Sequence, residues 1–144
     1  MSGSSHASPD VPAVAPIRVV VGLLFGDDGR ILIAKRDRRK MYGGLWEFPG
    51  GKVEPGETAE QALIREIHEE LAAPITVDQV FPGYLFTNGP LQAEFIPVSG
   101  TIRPADITRM EHDDHRFVTI EQTADFAFSP YDETVLSLLR AGLV

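Results

Sequence analysis

The chain contains no cysteine, which excludes a disulfide frame and any thiolate metal site. It has no apolar run near the roughly 18 residues that a membrane span needs. A basic excess is missing too: 21 Asp and Glu stand against 13 Lys and Arg, a net charge of −8. Gripping a nucleic-acid polymer takes a basic footprint, so neither a polymer nor a membrane is expected as a partner. The opening MSGSSHASPDVPAVAP does not follow the basic-then-apolar order of a secretory signal. A cytoplasmic location is the resulting expectation. The acidic balance suits surplus carboxylates that hold cations, and equally a protein that is simply acidic.

With 144 residues, 43% of them hydrophobic, the chain can bury the core of one compact domain. Residues 1–16, rich in Ser, Pro and Ala, read as a flexible tail, leaving 17–144 as a single domain. IRVVVGLLF (17–25) and ILIAKR (31–36) read as strands around a GDDGR turn. LWEF (45–48) is a short strand, followed by PGGKVEPGE, a loop dense in Gly and Pro. ITVDQVFPGYLFTNG and LQAEFIPVSGTI read as two strands meeting at Asn88-Gly89. RFVTI (116–120) is another strand, and a helix from Tyr131 to Ala141 follows. Strands mixed with two helices predict an α/β or α+β sandwich around a mixed sheet.

The clearest helix begins at Thr58, with Gln61 three residues on as in a capping box. Leu63, Ile64, Ile67 and Leu71 supply its apolar face, and two alanines and Pro74 mark its end. Glu66, Glu69 and Glu70 fall at roughly 0°, 300° and 40° around the axis, on one face. Like charges so spaced repel. The residue four beyond Glu66 is Glu70, and Arg65 and His68 fall at about 260° and 200°, on other sides. Either this is a solvated face, or it is a hard-oxygen site for Mg2+ or Mn2+.

The whole run GKVEPGETAEQALIREIHEELAA (51–73) resembles the Nudix box: Gly, five residues, Glu, seven residues, then Arg-Glu-apolar-x-Glu-Glu-x-Gly-apolar. Gly51, Glu57, Arg65, Glu66, Ile67, Glu69 and Glu70 match at the right spacing. Together with WEFPGGKVEPGE, the chain resembles the MutT-like group of Nudix hydrolases over residues 17–141. The resemblance implies a Nudix α/β/α sandwich with a catalytic loop-helix-loop. It further implies divalent-metal-dependent hydrolysis of nucleoside triphosphates to monophosphate and pyrophosphate, by a monomer or homodimer.

By that resemblance Glu66, Glu69 and Glu70 bind the cations, Glu66 also assisting the attacking water, and the Gly50 carbonyl completes the ligands. Gly51, Glu57 and Arg65 are structural, the last two bracing loop against helix. Glu111 falls where relatives carry a further glutamate that binds metal or accepts a proton. His112 and His115 could serve as bases in principle, but a solvent-exposed role is expected for both. Arg36 is expected near phosphates or sugar, with Lys35 on the opposite face of the strand. Glu47 would help to position loop or substrate. Phe48 is either an aromatic near the base or plain core.

Asp132 stands where relatives read the base edge, often with Asn; alternatively it is an acidic residue favoured in a helix's first turn. An ionised carboxylate only accepts hydrogen bonds, which weighs against strict selectivity for oxidised guanine. Ala72 replaces the Gly of the box, which predicts altered geometry and a softer structure at the helix end. Oxidised dGTP and CTP are the leading substrates, with ADP-ribose, nucleotide sugars and dinucleoside polyphosphates as alternatives. A recognition domain without catalysis is a different class of reading. The lack of cysteine disfavours an isomerase.

Overall fold

Two parallel strands, β1 (Ile17–Phe25) and β7 (Leu91–Ile102), form the centre of the sheet in the computed structural model, which describes residues 16–144. The expected tail lies outside the described residues, apart from Pro16. On one side of β1 come β2 (Ile31–Lys35) and then β3 (Trp46–Glu47); β8 (Asp114–Val118) also pairs with β2. On the other side, β5 (Ile75–Val80) and β6 (Tyr84–Asn88) both run antiparallel to β7. One parallel pair among antiparallel ones makes the sheet mixed.

The strand alternation of β1 explains the layering, because successive side chains point to opposite faces. Val20 and Leu24 join Leu63, Ile67 and Leu71 of helix α1 (Ala59–Leu71) in one core. Val21 and Leu23 face the other way and join Val135, Leu136 and Leu139 of helix α2 (Glu133–Arg140). The result is an α/β/α sandwich. Ile67 is fully buried, and truncating such a residue to Ala costs about 2–5 kcal/mol.

Several expected boundaries shift, each for a local reason. The stretch 75–89 is two strands, because Pro82 lacks the N–H that a continuous ladder needs. β7 is long enough to pair with both: β6 along Leu91–Phe95 and β5 along Val98–Ile102. The loop after Phe48 contains a further strand, β4 (Gly50–Lys52), paired with Val19–Val21 of β1. Ile64 is 41% exposed, outside the helix's buried stripe.

The end of α1 also departs from expectation. Ala72 adopts φ 54° and ψ 31°, the left-handed conformation that glycine favours there, and its N–H donates to the His68 carbonyl. The carbonyls of Glu70 and Leu71 accept from Met110 and Thr108 N–H at 2.9 and 2.8 Å. The helix end therefore keeps the usual geometry and is tied down, at a conformational cost on the order of 1 kcal/mol for a residue with a Cβ. No helix among the described residues is long and apolar enough to cross a membrane.

Candidate active site

α1 begins as the sequence predicts. Thr58 Oγ1 accepts from Gln61 N–H at 3.1 Å, and Gln61 Oε1 accepts from Thr58 N–H at 3.0 Å. Seven residues on, Arg65 reaches back across the loop. Its Nε and Nη2 donate to the two Glu57 oxygens at 2.7 and 3.0 Å, and Nη2 also to the Lys52 carbonyl at 2.9 Å. Glu57 Oε1 accepts in addition from Glu54 N–H. Arg65 and that backbone N–H hold the Glu57 carboxyl below its usual range.

Arg65 does more than the helical wheel suggested. Its Nη1 also donates to Glu66 at 2.9 Å and to Glu69 at 3.3 Å, the latter an i,i+4 pair. The angular separation of about 40° between Arg65 and Glu69 is well within reach of a long side chain. The glutamate face thus carries its own partial counter-charge.

Glu70 differs from its neighbours. Its side chain is 7% exposed, and its Oε1 has no hydrogen-bond partner. Burial, then the hydrogen bond with Glu66 and the charges of Glu47, Glu66 and Glu111, push its carboxyl well above the ordinary range. Glu69 is half-exposed. Glu111, 46% exposed, lies 3.7 Å from Lys40 Nζ. Gly50, Glu66, Glu69, Glu70 and Glu111 all line one cavity of about 390 Å3. Asp113 and Asp114 do not: Asp113 accepts from Arg38 N–H, and Asp114 accepts from Arg116 and from His115 N–H.

The two glycines of β4 explain how loop and helix come so close. A Cβ on Gly50 would sit 2.0 Å from the Val20 carbonyl oxygen, and one on Gly51 2.3 Å from the Glu66 carboxyl carbon. Only a bare backbone fits at Gly50, and a Cβ at Gly51 would force the end of the Glu66 side chain aside. Among the described residues, no three His, Asp or Glu side chains are already gathered as a metal cage, and Arg65 holds Glu66 and Glu69. The donor set nevertheless fits a hard divalent cation. It offers carboxylate oxygens at one wall, an orphaned buried oxygen on Glu70, and a mutual repulsion that a cation would relieve.

A second cavity, of about 240 Å3, adjoins the first and has an apolar lining that includes Phe48, Phe95 and Tyr131. The rings of Phe86 and Phe95 stack at 5.0 Å, and Tyr131 meets Phe86 edge-on at 5.5 Å. Phe48 is both core and lining: it is 4% exposed and tilts against Phe128. Arg36, Glu47, Gly50, Gly51 and Lys52 border both cavities.

At the edge of the apolar cavity lies Asp132. It occupies a 3-10 turn (Pro130–Asp132) immediately before α2, so the final helix starts later than predicted. It makes no side-chain cap. Its Oδ1 accepts from Phe48 N–H at 3.0 Å, across 84 positions of chain, and Ser129 Oγ lies 3.1 Å from Oδ2. Burial and then the Glu47 charge push its carboxyl up to about 8, against the lowering effect of Phe48 N–H, Ser129 and Arg36. Near neutrality it is largely protonated and can donate as well as accept.

His112 departs most from expectation. Its side chain is only 5% exposed, with Nε2 2.8 Å from Glu47 Oε2. Nothing in the polar stretch 103–115 marks it as buried. Glu47 carried a weak signal, as a charge within the apolar LWEF strand that must pair if buried. His115 is half-buried, with Nδ1 3.1 Å from Arg109. Burial and Arg109 hold its pKa down.

A loop–helix carboxylate wall thus stands beside an apolar pocket, on a mixed sheet between two helices. The NUDIX domain matches residues 15–139, and the chain belongs to the NUDIX family. It is similar to the CTP pyrophosphohydrolase of Escherichia coli K12, with 50% identity over 60 residues, covering 42% of this chain and 44% of that protein. It is also similar to the 8-oxo-dGTP diphosphatase of Proteus vulgaris, with 42% identity over 60 residues, covering 42% of this chain and 54% of that one. The chain thus spans about half the length of these relatives. Among solved structures it resembles MutT, studied from Aliivibrio salmonicida and Vibrio cholerae, at 34% identity and TM-score 0.69, covering 89% of this chain and 99% of that one.

Proposed function

We propose that this chain is a divalent-cation-dependent pyrophosphohydrolase that converts a nucleoside or deoxynucleoside triphosphate and water to the monophosphate and pyrophosphate. The observation that carries the proposal is the pair of adjoining cavities, one apolar and aromatic, one lined by carboxylates, sharing a wall that includes Arg36 and Glu47. A base and sugar fit the first, and a chain of phosphates the second.

Glu66, Glu69, Glu70, the Gly50 carbonyl and Glu111 would hold Mg2+, with Mn2+ as an alternative. When bound, the cation neutralises phosphate charge, favours deprotonation of water and aligns attacker with leaving group. Glu66 accepts the proton of the attacking water, with Glu111 as the further acceptor. Arg36 meets phosphate or sugar at the junction, and Phe48 packs by the base. Asp132, protonated near neutrality, offers a donor and an acceptor to the base edge much as an amide would, which keeps an oxidised guanine open alongside cytosine. Sanitising of the nucleotide pool, in the cytoplasm, belongs to the same proposal.

Kinetics on a panel of CTP, dGTP, 8-oxo-dGTP, ADP-ribose and nucleotide sugars, with pyrophosphate and phosphate measured separately, test the reading. Pyrophosphate release from a triphosphate is expected. Sugar phosphate without pyrophosphate would overturn the triphosphate assignment.

A further inference from the structure

Glu47 has a partner on each oxygen. Oε1 accepts from Arg36 Nη1 at 2.6 Å, and Oε2 faces His112 Nε2 at 2.8 Å. Burial alone would raise its pKa, but the His112 hydrogen bond and the Arg36 charge outweigh it and keep Glu47 below the ordinary range. An ionised carboxylate only accepts, so Nε2 carries the hydrogen. The same Nε2 also lies 3.8 Å from Glu70 Oε1. One N–H edge of the ring therefore faces two carboxylates whose charges oppose each other, Glu47 at the wall shared by the cavities and Glu70 in the carboxylate cavity.

The loop that carries His112 is pinned on both flanks. Met110 N–H donates to the Glu70 carbonyl, and Asp113 N–H donates to the Lys35 carbonyl at 3.0 Å. Lys35 is the residue before Arg36, so backbone and side chain converge on the same point. Arg36 has Nε on the Met41 carbonyl at 3.0 Å and Nη1 on Glu47. The plane of its guanidinium is thus fixed, and among the described residues Nη2 has no protein partner.

We propose that His112 is a positioning residue: its Nε2–H holds Glu47 in place against Arg36, and so sets the guanidinium at the junction where the phosphate chain crosses between the cavities. This rests on the triphosphate reading above. His112 acts through Arg36 and touches no reacting atom.

A double-mutant cycle tests it. His112→Met fills the same space without a donor, and is expected to raise KM for the triphosphate about tenfold with kcat within about threefold. In an Arg36→Ala background the same change is expected to move KM by less than about twofold. His112→Gln, whose amide N–H can reach Glu47, is expected to return KM to within about threefold of the parent. Equal effects in both backgrounds, or a loss confined to kcat, would overturn the proposal.

A second readout needs no turnover. In nucleotide-free protein, the Arg36 Nη1–H resonance, on the bond to Glu47, is expected to exchange slowly with water, and to lose that protection in His112→Met. Unchanged protection overturns the positioning role even if no triphosphate is hydrolysed, whereas lost protection upholds the link. If the parent protein releases no pyrophosphate from any triphosphate, the functional reading fails by itself.

Discussion

The two cavities share a wall and differ in almost everything else. The carboxylate cavity takes seven of its lining residues, among them Gly51, Glu54, Glu66, Glu69 and Glu70, from a stretch of twenty. The apolar cavity is assembled from β1, β7 and the turn before α2, with Phe48 and Asp132 joined across most of the chain. In the first, local helical spacing sets the geometry, and charge dominates the energetics. In the second, packing of distant aromatic rings sets the shape. On the proposed function, chemistry is thus separated from selection, with Arg36 and Glu47 between them.

The largest expected effect tests the chemical side. Glu70→Gln removes the most buried of the helix carboxylates, and turnover is expected to fall by about a hundredfold or more with the circular-dichroism spectrum unchanged. Glu69→Gln is expected to act in the same direction. If both variants kept parental kcat, the carboxylate cavity would not be where the chemistry occurs.

The glycines of β4 then separate fold from site within three residues. Gly50→Ala drives a Cβ into the backbone of Val20, with an expected stability loss of about 1–3 kcal/mol or more in urea unfolding. Gly51→Ala meets the end of the Glu66 side chain, which can rotate away. It is expected to leave stability nearly unchanged while lowering kcat by about tenfold or more, because Glu66 is displaced. The reverse pattern would mean that Glu66 has no part in turnover.

On the apolar side, Asp132 predicts a pH dependence. Its carboxyl rises from 3.8 to about 8 on folding, so folding favours the protonated form. The stabilisation it contributes is whole below about pH 3.8, declines across the interval and is lost above about pH 8. Thermal denaturation of Asp132→Asn against the parent is expected to show a Tm advantage of the variant that grows from about pH 5 to about pH 8 and then levels. A constant difference would mean that Asp132 is ionised throughout.

The smallest effect lies where α1 ends. Ala72→Gly relieves a left-handed alanine, and a stabilisation on the order of 1 kcal/mol is expected, a few degrees in Tm. Activity is expected to be unchanged, since the carboxylates proposed as ligands precede that turn. A large change in kcat would show that the helix end reaches into the site.

The contrast between the cavities also explains what could be read in advance. Thr58 and Gln61, the glutamate face, and the strands 17–25 and 91–102 follow from nearest-neighbour physics: capping, periodicity and alternation act within a few residues. Gly50 and Gly51 were legible as a loop, but not as a strand, because the reason for their bareness is the approach of Val20 and Glu66 in space. A helical wheel puts Arg65 on another side of the helix, since it describes Cβ directions and omits the reach of a guanidinium.

The amino-acid sequence by itself determined the family, the mixed sheet between two helices and the helix that gathers the carboxylates. Those features rest on spacing, and spacing survives without the rest of the fold. Only the tertiary structure decided that His112 is buried against Glu47 while Glu111 opens to the cavity, and that Asp132 is desolvated beneath Phe48. Burial and charge pairing across 65 and 84 positions depend on which surfaces the sheet brings together, and no local pattern encodes them.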